Sequence, residues 1–199
     1  IEAALSANPE YAYPWKLQAQ LYLTRENVMK DAVTRALEAF QSYSDRNSSD
    51  PSGYLEKYRL YVRRTEYEKA NAELNKVFAV YPKYPNLHYY KGALYAAMGN
   101  HKAAVDEFRE ELKNNTTNAN AMVSLGKELL ELGGVLDGLK QFNAAMELAP
   151  QSADAKHWAG YANFLAKNYA GASALYRAAI SIDPGNPTLY KRLGEVLRV

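Results

Sequence analysis

The sequence contains no cysteine and only three histidines in 199 residues, and these two shortages narrow the chemistry that it can perform. The lack of cysteine excludes disulfides, thiolate metal sites and cysteine nucleophiles. His88, His101 and His157 lie too far apart in sequence for two of them to bind one metal ion from successive turns of a helix. We therefore expect neither a metal nor another cofactor. The compartment stays open, with a lean towards the cytoplasm or periplasm of a bacterium.

Long apolar runs and a strong excess of one charge are missing as well. No stretch approaches the length of about 18 apolar residues that a membrane-spanning helix requires, and the first residues lack the basic and apolar regions of a targeting signal. Lysine and arginine number 24 against 22 acidic residues, which gives a net charge of +2. Nucleic-acid binding normally needs a concentrated positive charge. The sequence thus predicts no direct membrane insertion and no nucleic-acid partner.

Motifs of the common enzyme classes are also absent. Ser124 and Ser173 lack the Gly-x-Ser-x-Gly setting of a hydrolase nucleophile, and the pair Gly133-Gly134 lacks the lysine that follows the glycines of a phosphate-binding loop. The acidic run at 106–111 is interrupted by an arginine and followed by a lysine, which is typical of a solvated helix face. These observations predict a protein that is not an enzyme.

What the sequence does contain is a repeat. Four glycines recur at one constant step in stretches that otherwise favour helices: Gly92, Gly126, Gly160 and Gly194. A second series of small residues keeps the same step: Ala70, Ala104, Gly138 and Ala172. Prolines, which end helices because they lack an amide hydrogen and clash with the preceding turn, close three of the periods: Pro82, Pro150 and Pro184. This regularity predicts a repeated helical unit with a 34-residue period.

Each period has room for two helices. Apolar residues at helical spacing, such as Leu87, Tyr90 and Leu94, come before a short polar break, and a second helical pattern follows that break. The breaks in three successive periods suit tight turns between antiparallel helices, and they are Gly99-Asn100, Gly133-Gly134 and Lys167-Asn168. The fold class predicted from these patterns is all-α.

These residues resemble the tetratricopeptide repeat family, whose 34-residue unit places Trp, Leu, Gly, Tyr, Ala, Phe, Ala and Pro at fixed positions. One unit matches this pattern most fully, with these residues in place: Leu125, Gly126, Phe142, Ala145 and Pro150. The resemblance covers nearly all of the chain. It implies a right-handed superhelical solenoid made of antiparallel helix pairs.

The resemblance also divides the chain into one array of repeats. Residues 1–11 correspond to the end of a preceding repeat, and residues 187–199 to a last half-repeat or a capping helix. Between them lie the following units: a divergent repeat at 12–50, a degenerate repeat at 51–84 with Tyr58 in place of the glycine, and clear repeats at 85–118, 119–152 and 153–186. Within the divergent repeat, we interpret the polar stretch 44–50 as an exposed turn.

In this family the first helix of each repeat lines the concave surface, where partners bind. Transferring the groove positions to this sequence gives the candidate partner-binding residues: Arg59, Arg63, Asn86, Tyr89, Ala93, Ala96, Asn120, Lys127, His157, Tyr161 and Phe164. Tyr161 and Phe164 are candidate anchors, because aromatic side chains bind peptides well. In the alternative interpretation these two rings pack against a neighbouring repeat or the final helix, and the arginines form a solvated face.

One specialised mode of binding in this family is not indicated. Chaperone-binding members carry a carboxylate clamp made of Lys, Asn, Asn, Lys and Arg on three successive first helices. Here Glu56 stands where the second asparagine is needed, and Asn86 and Tyr90 stand where the last lysine and arginine are needed. A co-chaperone of this type is therefore not expected.

The sequence predicts a non-catalytic scaffold that binds a peptide or helical segment of a protein partner in its concave groove, and self-association is compatible with this function. Two other functions stay open. One is a structural module of a larger bacterial envelope or secretion assembly. The other is the recruiting arm of an enzyme whose catalytic domain lies outside this chain.

Overall fold

The computed structural model describes residue 8 and residues 10–199, and these residues form eleven helices and no β-strand. The helices are α1 (Ala12–Thr24), α2 (Ala32–Arg46), α3 (Ser52–Arg63), α4 (Tyr67–Val80), α5 (Leu87–Ala97), α6 (His101–Asn114), α7 (Ala119–Glu131), α8 (Val135–Leu148), α9 (Ala153–Leu165), α10 (Tyr169–Ile182) and α11 (Pro187–Val196). The all-α prediction is confirmed. The predicted end of a preceding repeat falls mainly on residues 1–7 and Pro9, outside the described residues.

The first of two compact units, Ile1–Tyr90, contains the hairpins α1–α2 and α3–α4 and the first residues of α5. One of its cores contains small and large apolar residues from three helices: Ala19, Ala36, Ala39, Phe40 and Leu60. Alanine lets helices approach closely, and Phe40 fills the space that remains, so this side chain is fully buried. The segment 12–50, which was predicted to be a divergent repeat, therefore contains a packed helical hairpin.

The end of α2 differs from the prediction. Helix α2 continues to Arg46, and Ser44 is buried rather than part of an exposed turn. Its hydroxyl donates a hydrogen bond of 2.9 Å to the carbonyl of Phe40, one turn earlier, so its polar group is satisfied inside the helix. The composition of the stretch suggested a turn, but the side chain is small enough to lie against Gly53 of the next helix.

The second hairpin of the first unit has an unusual polar interior. Lys57 is 1% exposed and forms an ion pair of 2.9 Å with Glu73 of α4. Its ammonium also donates to Gln41 Oε1 at 2.6 Å. Tyr58, at the position of the family's glycine, donates from its hydroxyl to the carbonyl of Tyr90 at 2.9 Å. Polar contacts thus replace part of the apolar packing of this repeat.

The second unit, Lys91–Val199, contains the remainder of α5, helix α6, the hairpins α7–α8 and α9–α10, and α11. Several of its glycines lie where an aromatic ring from the paired helix presses on the backbone. A Cβ atom added to Gly126 would lie 2.5 Å from a ring carbon of Phe142, and one added to Gly92 would lie 2.8 Å from Phe108. The predicted glycine series is therefore a packing feature at these positions, because no side chain fits beneath the rings.

The turns inside the hairpins repeat as regularly as the glycines. Four of the first helices are followed by a residue with positive φ, and these residues are Thr65 (57°), Gly99 (74°), Gly133 (82°) and Lys167 (61°). This left-handed conformation ends a helix and reverses the chain. The three predicted breaks lie between helices, as expected.

The first helices of the second unit carry the site described below. Their N-termini are capped by residues in the same register, Asn118, Ser152 and Asn186, whose side chains accept hydrogen bonds of 3.1 Å from backbone amides. Helix α9 contacts both α7 and α11, so these three helices form one layer. Among the described residues, no helix is long and apolar enough to cross a bilayer.

Candidate functional site

Two aromatic rings on α9 form the centre of a surface in the second unit. Trp158 and Tyr161 are one helical turn apart and therefore face in similar directions. Their ring centroids are 5.9 Å apart in an edge-to-face arrangement, and both side chains are half-buried. The indole N–H of Trp158 donates a hydrogen bond of 3.0 Å to Asp154 Oδ1, which fixes the orientation of the ring.

Lys127 approaches these rings from α7. Its Nζ lies 4.8 Å from the centroid of the Trp158 ring and 3.2 Å from Asp154 Oδ2. The cation is thus held between an aromatic face and a carboxylate that both belong to the next first helix. A cation–π contact at a partly exposed site contributes about 0.5–1 kcal/mol, and it also fixes the position of a flexible lysine.

Arg192 approaches from the other side, on α11. Its guanidinium carbon lies 4.8 Å from the centroid of the Tyr161 ring, and one guanidinium nitrogen forms an ion pair of 2.9 Å with Glu195 Oε2. The planar guanidinium stacks well on an aromatic face. We call the set Lys127, Asp154, Trp158, Tyr161, Arg192 and Glu195 the cation–aromatic surface.

One spacing generates both contacts. Lys127 precedes Trp158, and Tyr161 precedes Arg192, by the same 31-residue spacing. Two residues separated by this spacing lie next to each other on successive first helices. In each pair one member is a cation and the other an aromatic ring. The surface is therefore built from contacts between successive repeats.

Two other predicted groove residues lie on the same helix, α9, as Trp158 and Tyr161. His157 is half-buried between the rings of Trp158 and Tyr176, at centroid distances of 5.2 and 5.9 Å, and burial lowers the pKa of its imidazole. Burial therefore favours the neutral form of this side chain. Phe164 packs on Tyr169, with a centroid distance of 5.8 Å, and on the core that contains Leu189 of α11.

The other predicted residues of the second unit are less closely connected to the surface. Ala93 and Ala96 are half-buried on α5, and Asn120 is exposed in the first turn of α7. Of all eleven candidates, the contacts described above bring together Lys127, His157 and Tyr161 around one tryptophan. Partner binding by the full predicted set stays a prediction.

The remaining candidates lie in the first unit. Arg59 is exposed and pairs with Glu56 at 2.6 Å, and Arg63 pairs with Glu26 at 3.0 Å. Asn86 has a φ of +62° immediately before α5. Tyr89 is half-buried on α5, with its ring centroid 6.1 Å from that of Tyr90.

Arg59 and Tyr90 repeat the 31-residue spacing in the first unit. Burial opposes the charge on Arg59, but the Glu56 carboxylate and the Tyr90 side chain raise the pKa of its guanidinium. The same two positions of the repeat are thus occupied by a cation and an aromatic residue in each unit.

Sequence analysis missed Trp158 and Arg192 as site residues. They occupy the same position in successive repeats, one full period apart, and the groove positions transferred from the family did not include that position. The signal that would have found them is the pairing of a cation with an aromatic residue at the 31-residue spacing.

In the described part of the chain, no three histidine, aspartate or glutamate side chains come together in a group that could hold a metal ion. The cation–aromatic surface consists of two half-buried aromatic side chains, two cations and two carboxylates, each in contact with a neighbouring side chain.

Comparison with known proteins identifies the repeat. A family model described as tetratricopeptide repeat matches residues 55–119 and 123–187, which together are more than half of the chain. No curated protein sequence matches.

Several solved structures are similar in fold. One is YrrB, described as a TPR protein with an unusual peptide-binding site, with a TM-score of 0.69 and 24% identity over 96% of this chain and 95% of that chain. A second is a tetratricopeptide repeat protein from Parabacteroides merdae, with a TM-score of 0.73 and 15% identity over 92% of this chain and 72% of that chain.

A third similar structure is the first TPR of Spaghetti (RPAP3) bound to the HSP90 peptide SRMEEVD. Its TM-score is 0.54 and its identity 18%, over 54% of this chain and 86% of that chain. The fold is that of protein-interaction scaffolds, and the family model covers most of the helices described above. The chain therefore belongs to the tetratricopeptide repeat family.

Proposed function

We propose that this protein is a non-catalytic scaffold that binds a peptide or helical segment of a partner protein on the cation–aromatic surface of its second unit. The observation that carries this proposal is the pair Trp158 and Tyr161. Both rings are partly accessible, and both are held in place before any partner arrives, by Asp154, Lys127 and Arg192.

Pre-ordered aromatic side chains are effective anchors for binding. They offer a large apolar area with few rotatable bonds, so little conformational entropy is lost when a partner covers them. Tryptophan, tyrosine and arginine are also the residues that most often dominate the binding energy of protein interfaces. The surface places all three types within one layer of helices.

Two of the similar structures support a peptide as the ligand. YrrB is described as having a peptide-binding site, and the first TPR of Spaghetti is bound to a peptide. Because their identity to this chain is low, these structures support a shared fold but not a shared set of binding residues. The proposed anchors therefore come from the contacts of this chain itself.

The proposal is tested by selecting binders from a displayed library of random 20-residue segments. We expect Tyr161→Ala and Trp158→Ala to weaken the selected binders at least tenfold, which corresponds to about 1.4 kcal/mol or more. Leu136→Ala is the matched control, because Leu136 is 75% exposed on the second helix α8. Circular dichroism and thermal melting verify that each variant keeps its fold.

The contrary outcome is equally clear. If the selected segments bind both alanine variants as well as they bind the wild type, the cation–aromatic surface is not the binding site. In that case Tyr89→Ala, in the first unit, tests the other part of the predicted groove.

A further inference from the structure

The charges around the two rings are not evenly distributed. At the α7 side, Lys127 is paired with Asp154, which also accepts the indole hydrogen bond of Trp158. This corner is electrically balanced, and its carboxylate is held by two donors. Its polar groups are largely satisfied within the protein.

The α11 side carries an excess of positive charge. From the start of α11 to residue 199 there are three basic side chains, Lys191, Arg192 and Arg198, and one acidic side chain, Glu195. Lys191 and Arg198 are exposed. A net positive charge in this segment attracts acidic groups and raises their local concentration.

The pairing of Arg192 is easily exchanged. Its partner Glu195 is on the same helix, three residues later, and each of the two side chains is 35% exposed. Partly exposed pairs at this spacing are weak. A guanidinium has five N–H donors, so it can bind a second carboxylate while it remains in contact with a ring.

The contact with Tyr161 places this binding next to the rings. The guanidinium carbon lies 4.8 Å from the centroid of the Tyr161 ring, so a carboxylate that binds the guanidinium lies close to that ring. A carboxylate bound there lies next to whatever apolar group covers the rings of Trp158 and Tyr161.

We propose that the partner segment combines a large apolar side chain, which covers Trp158 and Tyr161, with an adjacent acidic side chain, which binds Arg192 at the α11 side. This inference rests on the proposed function and gives the chemical class of the partner. It also fixes a direction, because the acidic residue lies towards α11 and not towards the balanced α7 corner.

The experiment uses the segments selected from the random library and asks two further questions of them. The first is composition: we expect aspartate and glutamate to be enriched at least twofold over the unselected library, next to a large apolar residue. The second is charge dependence: Arg192→Gln is expected to weaken the selected segments about tenfold at low salt and less at high salt, because screening already reduces the attraction.

Trp158 provides the binding signal. The chain has two tryptophans, Trp15 and Trp158, so a Trp15→Phe background leaves Trp158 as the sole tryptophan of the protein. Titration of a selected segment then changes fluorescence at the site itself. Lys140→Gln is the control for loss of a positive charge on α8, at a position outside the cation–aromatic surface.

The outcomes separate this inference from the proposed function. Segments that require Trp158 and Tyr161 but show no acidic enrichment, or that bind Arg192→Gln unchanged, overturn the acidic partner and leave the scaffold function intact. Segments that do not require the two rings overturn the proposed function, and the acidic partner with it.

Discussion

The hairpins α3–α4 and α7–α8 lie two periods apart and differ at one pair of repeat positions. In α7–α8 the first helix supplies a glycine, Gly126, and the second helix supplies the ring of Phe142, which lies on it. In α3–α4 the same two positions hold Tyr58 and Leu74, and both side chains are buried. The larger side chain is therefore on the second helix in α7–α8 and on the first helix in α3–α4.

The two hairpins also differ in the polarity of their interiors. Leu125, which precedes Gly126, is a buried apolar residue, whereas Lys57, which precedes Tyr58, is a buried cation paired with Glu73. A buried ion pair loses most of its attraction to the cost of desolvating both charges, so it seldom adds net stability. We expect the α3–α4 hairpin to be more sensitive to loss of one partner than α7–α8.

The largest effect is expected from Glu73→Leu. This change leaves the ammonium of Lys57 buried without its carboxylate, which lowers the free energy of unfolding of the first unit by about 3–5 kcal/mol. Burial already lowers the pKa of Lys57, so part of the response is release of its proton. Urea unfolding followed by Trp15 fluorescence in a Trp158→Phe background measures the effect.

The double variant Lys57→Met with Glu73→Leu sharpens this prediction. It replaces both charges by apolar side chains of similar size, and we expect stability at or above that of the wild type. A double variant as unstable as Glu73→Leu alone would show that the loss came from packing and not from an unpaired charge.

The next effect is expected from Gly126→Ala. The new methyl group would lie 2.5 Å from a ring carbon of Phe142, and overpacking of this kind costs about 1–3 kcal/mol. Gly194→Ala is the matched control, because a methyl group there meets no atom of the described residues within 4 Å outside its own helix. That change should be neutral or stabilise by up to about 1 kcal/mol, since alanine favours the helix.

Trp158 fluorescence during urea unfolding measures both glycine variants. Equal destabilisation by Gly126→Ala and Gly194→Ala would contradict the packing explanation of the glycine series.

A smaller effect is expected at the turns. Thr65 and Gly133 occupy the same place in the repeat, both with positive φ, and a left-handed conformation costs a residue with a side chain about 1–2 kcal/mol. Thr65→Gly should therefore stabilise the first unit by about 1 kcal/mol, and Gly133→Thr should destabilise the second by a similar or larger amount. If thermal melting shows no change for either variant, the left-handed conformation does not strain Thr65 more than Gly133.

The smallest effects at neutral pH concern two buried hydroxyl groups. Tyr58→Phe removes a hydrogen bond to Tyr90 and should cost about 1 kcal/mol. The hydroxyl of Tyr176 has no hydrogen-bond partner among the described residues, so Tyr176→Phe should be neutral or slightly stabilising. Urea unfolding at pH 7 compares the two variants.

Alkaline pH provides a second comparison of these two hydroxyl groups. Burial raises the pKa of both Tyr58 and Tyr176 from 10.0 to about 12. A raised pKa in the folded state means that stability is fully present below pH 10 and falls as the pH rises from 10 through 12. Each Tyr→Phe variant lacks one of the two ionising hydroxyl groups, so its stability should fall less than that of the wild type over this pH range. A wild-type protein whose stability does not change over this range would contradict the raised pKa values.

The sequence was sufficient for features that act within one repeat. Glycine, proline and the polar breaks each impose a local backbone requirement, so the helix pairs and turns were predictable. Lys57 shows where this reasoning ends: lysine is normally exposed, and its burial depends on Glu73 of another helix and Gln41 of another hairpin.

The site could be predicted only in part, because it depends on contacts between successive repeats. Lys127 and Tyr161 follow from the groove positions of the family, but their environment is set by residues of the next repeat. Trp158 and Arg192 become site residues because they lie against those two side chains, and this relation appears only when neighbouring helices are placed together.

If a segment binds the cation–aromatic surface as proposed, the 31-residue contacts also couple its binding to the stacking of repeats. Lys127 on Trp158 joins α7 to α9, and Arg192 on Tyr161 joins α9 to α11. A segment that covers these contacts binds the stacked helices and not the separated ones. Each tenfold increase in ligand concentration above the dissociation constant therefore adds about 1.4 kcal/mol to the free energy that holds these helices together. A segment bound in this way would stabilise the contacts among three helices, and the melting temperature of the second unit would then report how much of the site is occupied.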